Sequence, residues 1–489
     1  MKRILTLFLA SVLLLGLVCS CGGDTGKGGN GGSGKDVLKT DDDYKLPEIN
    51  MNGEDVVVLN VDQYANMKID FTAPEDADDT LDIAIYESNK RLEEQFNFRF
   101  VEDEYPFIDW NYSHTDMAAH FVKNVNSGDD VYDFIHFPVN QSPDLITNGY
   151  VMELSELEGL HFDKPWWDTK LNKELTIDGR LYMAVGSINL MPYEGMTTIF
   201  FNKDMIDSYR LDNPYEMVRN GTWTIEALLE LANEVISLGS DSHWHVYDGG
   251  TSTYGITRTN GFPVHFMVGA DQRFTIKEDE KTFKFNTGND DFFLAAELMR
   301  PIFVDVDQGG IAIGVSDPAQ SNFYIKLFGE GRSLFMMGEL KAGVEMRDYD
   351  VNFGILPAAK LRAEQESYYS NATDRLPFIC IPTLSENPED VAKIIDAMAY
   401  DRYKNVIPVY YDSYVTYKGL RDEESVEMLE IMTEGRTMDV GHAYGWTQRT
   451  INSVINGCIP TGEDVASTLK SYEKAMNRQI EAFLEDYIQ

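Results

Sequence analysis

Two β-prone runs separated by a short kinked piece constrain this chain more than any other feature. Leu181–Val185 is apolar and β-prone, and Thr197–Phe201 is a second such run. Between them, Ser187–Gly195 holds Pro192 and the polar pair Tyr193 and Glu194. Asn202-Lys203-Asp204 then starts a helix, Asn213-Pro214 makes a turn, and Thr224 stands where it caps the next helix. Two strands joined by an extended crossover, each followed by helix, suit a passage from one α/β lobe to another. A chain of 489 residues is also too long for one core, so at least two domains are expected.

The charge balance narrows the partners. With 81 acidic against 41 basic residues the formal charge is −40, which argues against nucleic acid or an anionic lipid surface as partner. A hydrophobic content of 43% with 12% aromatic residues is that of a globular chain.

The first residues read as a targeting segment. Lys2-Arg3 is a positive n-region and Ile4–Val18 an apolar h-region too short for a comfortable transmembrane helix. Val18-Cys19-Ser20-Cys21 resembles a lipobox, with cleavage before Cys21 and diacylglycerol on its sulfur. Residues 1–20 are therefore expected to be a lipoprotein signal peptide. Residues 21–45 would be a glycine-rich tether spanning roughly 25–30 Å as a flexible coil. Cys380 and Cys458 are the remaining thiols, and a disulfide and two buried free cysteines are both open readings.

Along the body, strand and helix signals alternate. Asp55–Val61 reads as a buried first strand, Asp79–Phe96 as a helix with Leu81, Ile85, Leu92 and Phe96 on one face, Phe98–Glu102 as a second strand, Met117–Asn126 as a second helix and Asp133–Phe137 as a third strand. Such alternation predicts a mostly parallel sheet. Thr224–Leu238 and Glu386–Tyr400 are further helices, and Asp464–Ile488 carries a clean helical stripe, with Thr461 and Asp464 at capping-box spacing.

These pieces, in this order, resemble the extracellular solute-binding proteins of ABC transporters, family 1, lipoprotein type. The hinge pattern is Gly179-Arg180-Leu181-Tyr182, a crossover, then an apolar strand ending Asn202-Lys203-Asp204, with Thr222-Trp223 about twenty residues on. Phe162-Asp163-Lys164-Pro165-Trp166-Trp167-Asp168, Tyr254-Gly255-Ile256, Gly331–Glu339 and Phe353-Gly354-Ile355-Leu356-Pro357 match later elements, and the likeness covers roughly residues 50–489. It implies a two-lobed, periplasmic-binding-protein-like (type II) α/β fold with three interlobe crossovers, near 187–198, 352–366 and 401–417. Residues 46–193 with 360–405 would form the N-terminal lobe and 194–359 with 406–489 the C-terminal lobe. Tyr368–Thr373 and Leu376–Pro382 would re-enter the first sheet.

Catalytic signatures are missing from the sequence. No GxSxG, HExxH, GxxxxGK[ST] or zinc spacing occurs, and His243-x-His245 and Asp305-x-Asp307 are too sparse for metal sites. No catalytic residue, metal ligand or cofactor is assigned. Aromatic and polar surface suited to sugars remains, with Trp166, Trp167, Tyr193, Trp244, Tyr254, Tyr368, Tyr411 and Trp446 as candidates, each competing with a core role. The resemblance places the ligand past the strand ends at Phe137, Asn140 and Gln141 on one side, at Glu194, Glu339 and Trp446 on the other, and at Tyr193 in the hinge. It implies a monomeric binding protein on the outer face of the membrane, held there by Cys21, that traps a small solute, foremost a carbohydrate, and passes it to an ABC permease. An extracellular enzyme acting on glycans and a surface glycan-docking protein without transport are the alternatives.

Overall fold

A computed structural model describes residues 44–62, 69–106, 113–138, 142–240, 242–244, 250–259, 264–315, 322–372, 376–412 and 423–488. In chain order these give β1 (Asp55–Val61), α1 (Thr80–Phe96), β2 (Arg99–Tyr105), α2 (Ser113–Ser127), β3 (Phe134–Pro138), α3 (Thr169–Leu175), the single turn α4 (Met191–Glu194) and β4 (Thr197–Asn202). Next come α5 (Ile225–Glu234), β5 (Tyr254–Thr259), α6 (Val264–Gly269), the hairpin β6 (Thr275–Lys277) and β7 (Phe283–Phe285), β8 (Ala312–Val315), β9 (Ser333–Glu339) and β10 (Phe353–Leu356). The chain closes with β11 (Ser370–Asn371), β12 (Pro377–Cys380), α7 (Pro388–Asn405), α8 (Glu423–Glu434), β13 (Arg436–Thr437) and α9 (Val465–Ile488).

Two sheets form the centres of two α/β lobes. The first has the order β12-β3-β1-β2, with β1, β2 and β3 parallel and β12 antiparallel on the edge. The second has the order β10-β4-β9-β5-β8; its β9, β5 and β8 are parallel and β4 runs against both β10 and β9. The chain passes between the sheets after β3, after β10 and again after α7, because α8 packs on β10 of the second sheet. Residues 413–422 of the third passage lie outside the described residues.

Local sequence accounts for the element boundaries. Asp79, Asn202 and Thr224 cap their helices with side-chain oxygens. The last helix is capped by Asp464, whose Oδ1 accepts from Ala466 and Ser467; Thr461 instead bonds back to the Gly457 carbonyl and ends the preceding turn. The helix after Thr224 stops at Glu234, four residues short of Leu238, because Ser237 pairs with Thr253 and pulls the chain into a β-bridge. Leu181–Val185 is not a full strand: only Ala184 bridges Ile379 of β12. Ser370–Asn371 does not join the first sheet either; it pairs in parallel with β13 at the junction of the lobes.

The second sheet is buried across its middle, every residue of β4 and β9 being buried. Trp223 is sunk against Phe335 and donates to the Pro357 carbonyl at 3.0 Å, so the Thr-Trp helix start is tied to the return strand. Gly354 permits this approach of chains, since a Cβ there would sit 2.0 Å from the Tyr215 hydroxyl. Cys380 and Cys458 are both buried and unpaired. Among the described residues no helix is long and apolar enough to cross a membrane.

Candidate functional site

Strand register shows which strand ends share an edge in each sheet. In the first sheet the carboxyl ends of β1, β2 and β3 lie together, and Pro138 is opposite Pro377 at the amino end of β12. In the second sheet Thr197, at the start of β4, is opposite Glu339, at the end of β9, so the carboxyl ends of β9, β5 and β8 share that edge. The first passage links the two edges directly: Asn189 reaches His136 near the end of β3, and eight residues later Thr197 enters β4 beside Glu339. A cleft at these facing carboxyl ends is where α/β sheets take ligands. The residues that follow the strands there, 63–68, 107–112, 139–141, 260–263 and 316–321, lie outside the described residues.

Between the two edges stands the turn α4 with its neighbours. Pro192 opens the turn, which carries Tyr193 and Glu194. The Tyr193 hydroxyl is 2.7 Å from Ser187 Oγ and its ring meets Tyr411 edge-on at 5.9 Å. Burial pushes the Tyr193 hydroxyl above its ordinary pKa, so it stays a neutral donor. The Glu194 carbonyl accepts from the Lys341 amide at 3.1 Å, and the Met196 carbonyl from Leu340 at 2.9 Å. These two bonds bring Glu194 beside Glu339, and the Lys341 ammonium lies 3.9 Å from the Glu339 carboxylate. The Glu194 backbone and the Lys341–Glu339 ion pair thus share one edge, while the Tyr193 side chain turns to Ser187 and Tyr411. Charged oxygens make the stronger, shorter hydrogen bonds to hydroxyl donors.

Two residues that sequence reasoning missed belong to the same edge. His265, at the start of α6, has Nδ1 within 2.8 Å of the Thr197 hydroxyl, and Asn371 Nδ2 donates to it at 2.9 Å. His265 follows a strand end by a short loop, the same positional signal that singled out Phe137, whereas nothing local marks Asn371.

On the first lobe, His136 is enclosed. Asn189 Nδ2 lies 2.7 Å from Nε2, and Nδ1 is 2.9 Å from Asn60 Oδ1. Asn189 Oδ1 accepts from the Met191 amide and Asn60 Nδ2 donates to Glu102, which fixes both amides. The imidazole is therefore neutral with its proton on Nδ1. Burial, with the nearby Arg402 charge, depresses its pKa to about 3.

The other sequence candidates are distributed as follows. Phe137 is fully buried and packs edge-on against Phe121 of α2, exposing no surface in this conformation. Asn140 and Gln141 lie outside the described residues. Trp446 is 2% exposed, stacked on Tyr444 at 5.3 Å and flanked by Phe283 and Phe483. Trp166 and Trp167 both donate to the buried Asp396 carboxylate of α7, at 3.1 and 2.7 Å. Cys21 lies outside the described residues. A cavity of about 730 Å³ beside Tyr193 lies between α3 and α8, and another of about 1000 Å³ lies on the other side of α3. Neither is lined by Glu194, Glu339 or Trp446. Among the described residues no three His, Cys, Asp or Glu side chains gather as a metal ion would need.

No protein-family model matches the sequence, and no curated protein matches it. Solved structures match along nearly the whole length. A sugar transporter from Rhizobium etli in an open conformation is 14% identical, with a TM-score of 0.56 over 88% of this chain and 99% of that one. The maltose-binding periplasmic protein MalE from Listeria monocytogenes, in complex with maltose, is 13% identical, with a TM-score of 0.55 over 88% and 98%. The GacH receptor of Streptomyces glaucescens, solved unliganded and with acarbose, is 12% identical, with a TM-score of 0.52 over 87% and 99%. The chain therefore has the two-lobed, periplasmic-binding-protein-like fold, and none of these three neighbours is described as an enzyme.

Proposed function

We propose that this chain is the solute-binding protein of an ABC transporter, that its solute is a carbohydrate or oligosaccharide, and that it acts by capture alone, without covalent chemistry. The observation that carries the reading is the match over 88% of this chain and 98% of the length of a maltose-bound structure. The ligand enters between the facing carboxyl edges, and the lobes close on it by bending at the passages. Closure requires contact with both lobes, since a ligand touching one alone has no preference for the closed state. We take 46–193 with 360–405 as one lobe and 194–359 with 406–489 as the other.

Within that reading Tyr193, Glu194 and Glu339 meet the sugar hydroxyls at the base, joined by Asn140 and Gln141 from the first lobe. Phe137 and Trp446, both buried in this conformation, would reach the ligand only if their surroundings rearrange on closure. The protein works as a monomer on the outer face of the membrane, held by lipid on Cys21, and hands its cargo to the permease. Thermal-shift screening with maltose, maltotetraose and other oligosaccharides tests the ligand class: a saccharide at 100 times its Kd adds about 2.7 kcal/mol to the folded state. A panel in which only amino acids or peptides raise the melting point overturns it. Metabolic lipid labelling that persists in Cys21→Ala overturns the anchor.

A further inference from the structure

One buried guanidinium touches the turn of the first passage directly. Arg436 is 8% exposed, on β13. Its Nη1 donates to the Pro192 carbonyl at 2.6 Å, within the turn that carries Tyr193 and Glu194. Its Cζ lies 5.5 Å from the centre of the Tyr193 ring. Its Nε is 2.7 Å from Asp168 Oδ2, off the line of an ideal hydrogen bond, so the contact is an ion pair. Asp168 is itself fixed, since its other oxygen accepts from Leu171 and caps α3. The backbone of Arg436 pairs with Ser370 of the second passage, and Tyr193 leans on Tyr411 of the third. Gly435 is required beside it, because a Cβ there would lie 2.0 Å from the Tyr368 carbonyl oxygen.

We propose that Arg436 is the positioning residue of the cleft base: it holds the turn 191–194, and with it Tyr193 and Glu194, in register against the other two passages. The inference rests on the reading of Tyr193 and Glu194 as ligand-facing. The chemistry favours arginine over lysine. A planar fork reaches a carboxylate and a carbonyl in two directions while its flat face lies on an aromatic ring, whereas an ammonium is a point charge that satisfies one of these at a time.

Hydrogen exchange read by mass spectrometry on the full chain tests the assignment without a ligand. The amides of Tyr193, Glu194 and Gly195 bond within the turn, to Leu190 and Met191, so loosening of the turn is read on them directly. In Arg436→Lys and Arg436→Met, exchange over 191–196 is expected to accelerate at least tenfold while β1 keeps its wild-type protection. Unchanged exchange at 191–196 overturns the proposal, and so does an equal acceleration throughout the protein, which marks a merely structural arginine. Should Arg436→Met fail to fold, Arg436→Lys decides alone. Titration with maltotetraose separates this from the functional reading: a wild-type protein that binds no saccharide defeats the sugar assignment and leaves the exchange result standing.

Discussion

His136 gives the sharpest test of the structure, because its environment fixes both the sign and the size of a pH effect. In the folded chain Nε2 accepts from Asn189 and Nδ1 donates to Asn60, so the neutral ring is satisfied on both sides. A second proton would point at the Asn189 amide hydrogens, inside a buried site that already holds the Arg402 guanidinium. The folded pKa is thus depressed to about 3, against about 6.5 in an unfolded chain. A base depressed in this way contributes stability that is complete above its unfolded pKa and is lost as pH falls. Below pH 6.5 the unfolded chain takes up a proton that the native state refuses, and stability falls by about 1.4 kcal/mol per unit. Between pH 7 and pH 5 the loss amounts to about 2 kcal/mol, and it keeps that size for any folded pKa well under 5. The assay is urea unfolding of wild type and His136→Gln at both pH values. Other titrating groups are common to the two proteins, so the difference of differences isolates this ring. An equal pH dependence in the two proteins, or an imidazole resonance that titrates above pH 5, would refute the reasoning.

Two further outcomes follow from buried groups elsewhere. Asp133 accepts from the Val57 amide at 2.7 Å, yet burial raises its pKa to about 6, so its ionised form strains the fold increasingly as pH rises from about 4 to 6. Asp133→Asn keeps the acceptor without the charge and is expected to gain about 1–3 kcal/mol at pH 7 and nothing at pH 4, read from melting curves. Trp446→Ala removes an indole packed among Tyr444, Phe283 and Phe483 and should cost about 3–5 kcal/mol of stability, measured by chemical unfolding.

The strands and helices of the first lobe were legible because their apolar periods are strong and their caps are local. Val56, Val58, Leu59 and Val61 of β1 are all buried, and Asp79 caps α1 through its own side chain. What the sequence lacked was the identity of strand partners. Tyr368–Thr373 has the right composition for a sheet strand, but its described core pairs with Arg436-Thr437, some 66 residues further along the chain. Helix ends failed for a related reason: Val235 continues the apolar stripe of α5, yet Thr253 donates to its carbonyl and a bridge replaces the next turn.

At the candidate site, position and residue type led to different places in the fold. Glu194 and Glu339 were chosen because one stands in a crossover and the other ends a strand; Lys341 donates its amide to the Glu194 carbonyl and pairs its ammonium with Glu339. The large aromatic residues were chosen because a ring face suits a sugar, and most went elsewhere. Trp166 and Trp167 illustrate why. An indole carries an N–H that needs an acceptor once buried. The Asp396 carboxylate, some 230 residues distant, accepts from both, from the His161 amide and ring, and from the Tyr44 hydroxyl. A buried carboxylate without such donors would be costly, and the donors without it would be orphaned. The two tryptophans therefore serve as the solvation shell of a buried acid that anchors α7 to the chain before the hinge. Tyr193 differs because its hydroxyl is met within the hinge itself by Ser187, leaving the ring to lie against Arg436 and Tyr411 where the three passages meet. A ring held by its own crossover stays in the hinge, whereas a ring whose polar end is claimed by a distant helix is drawn into the core.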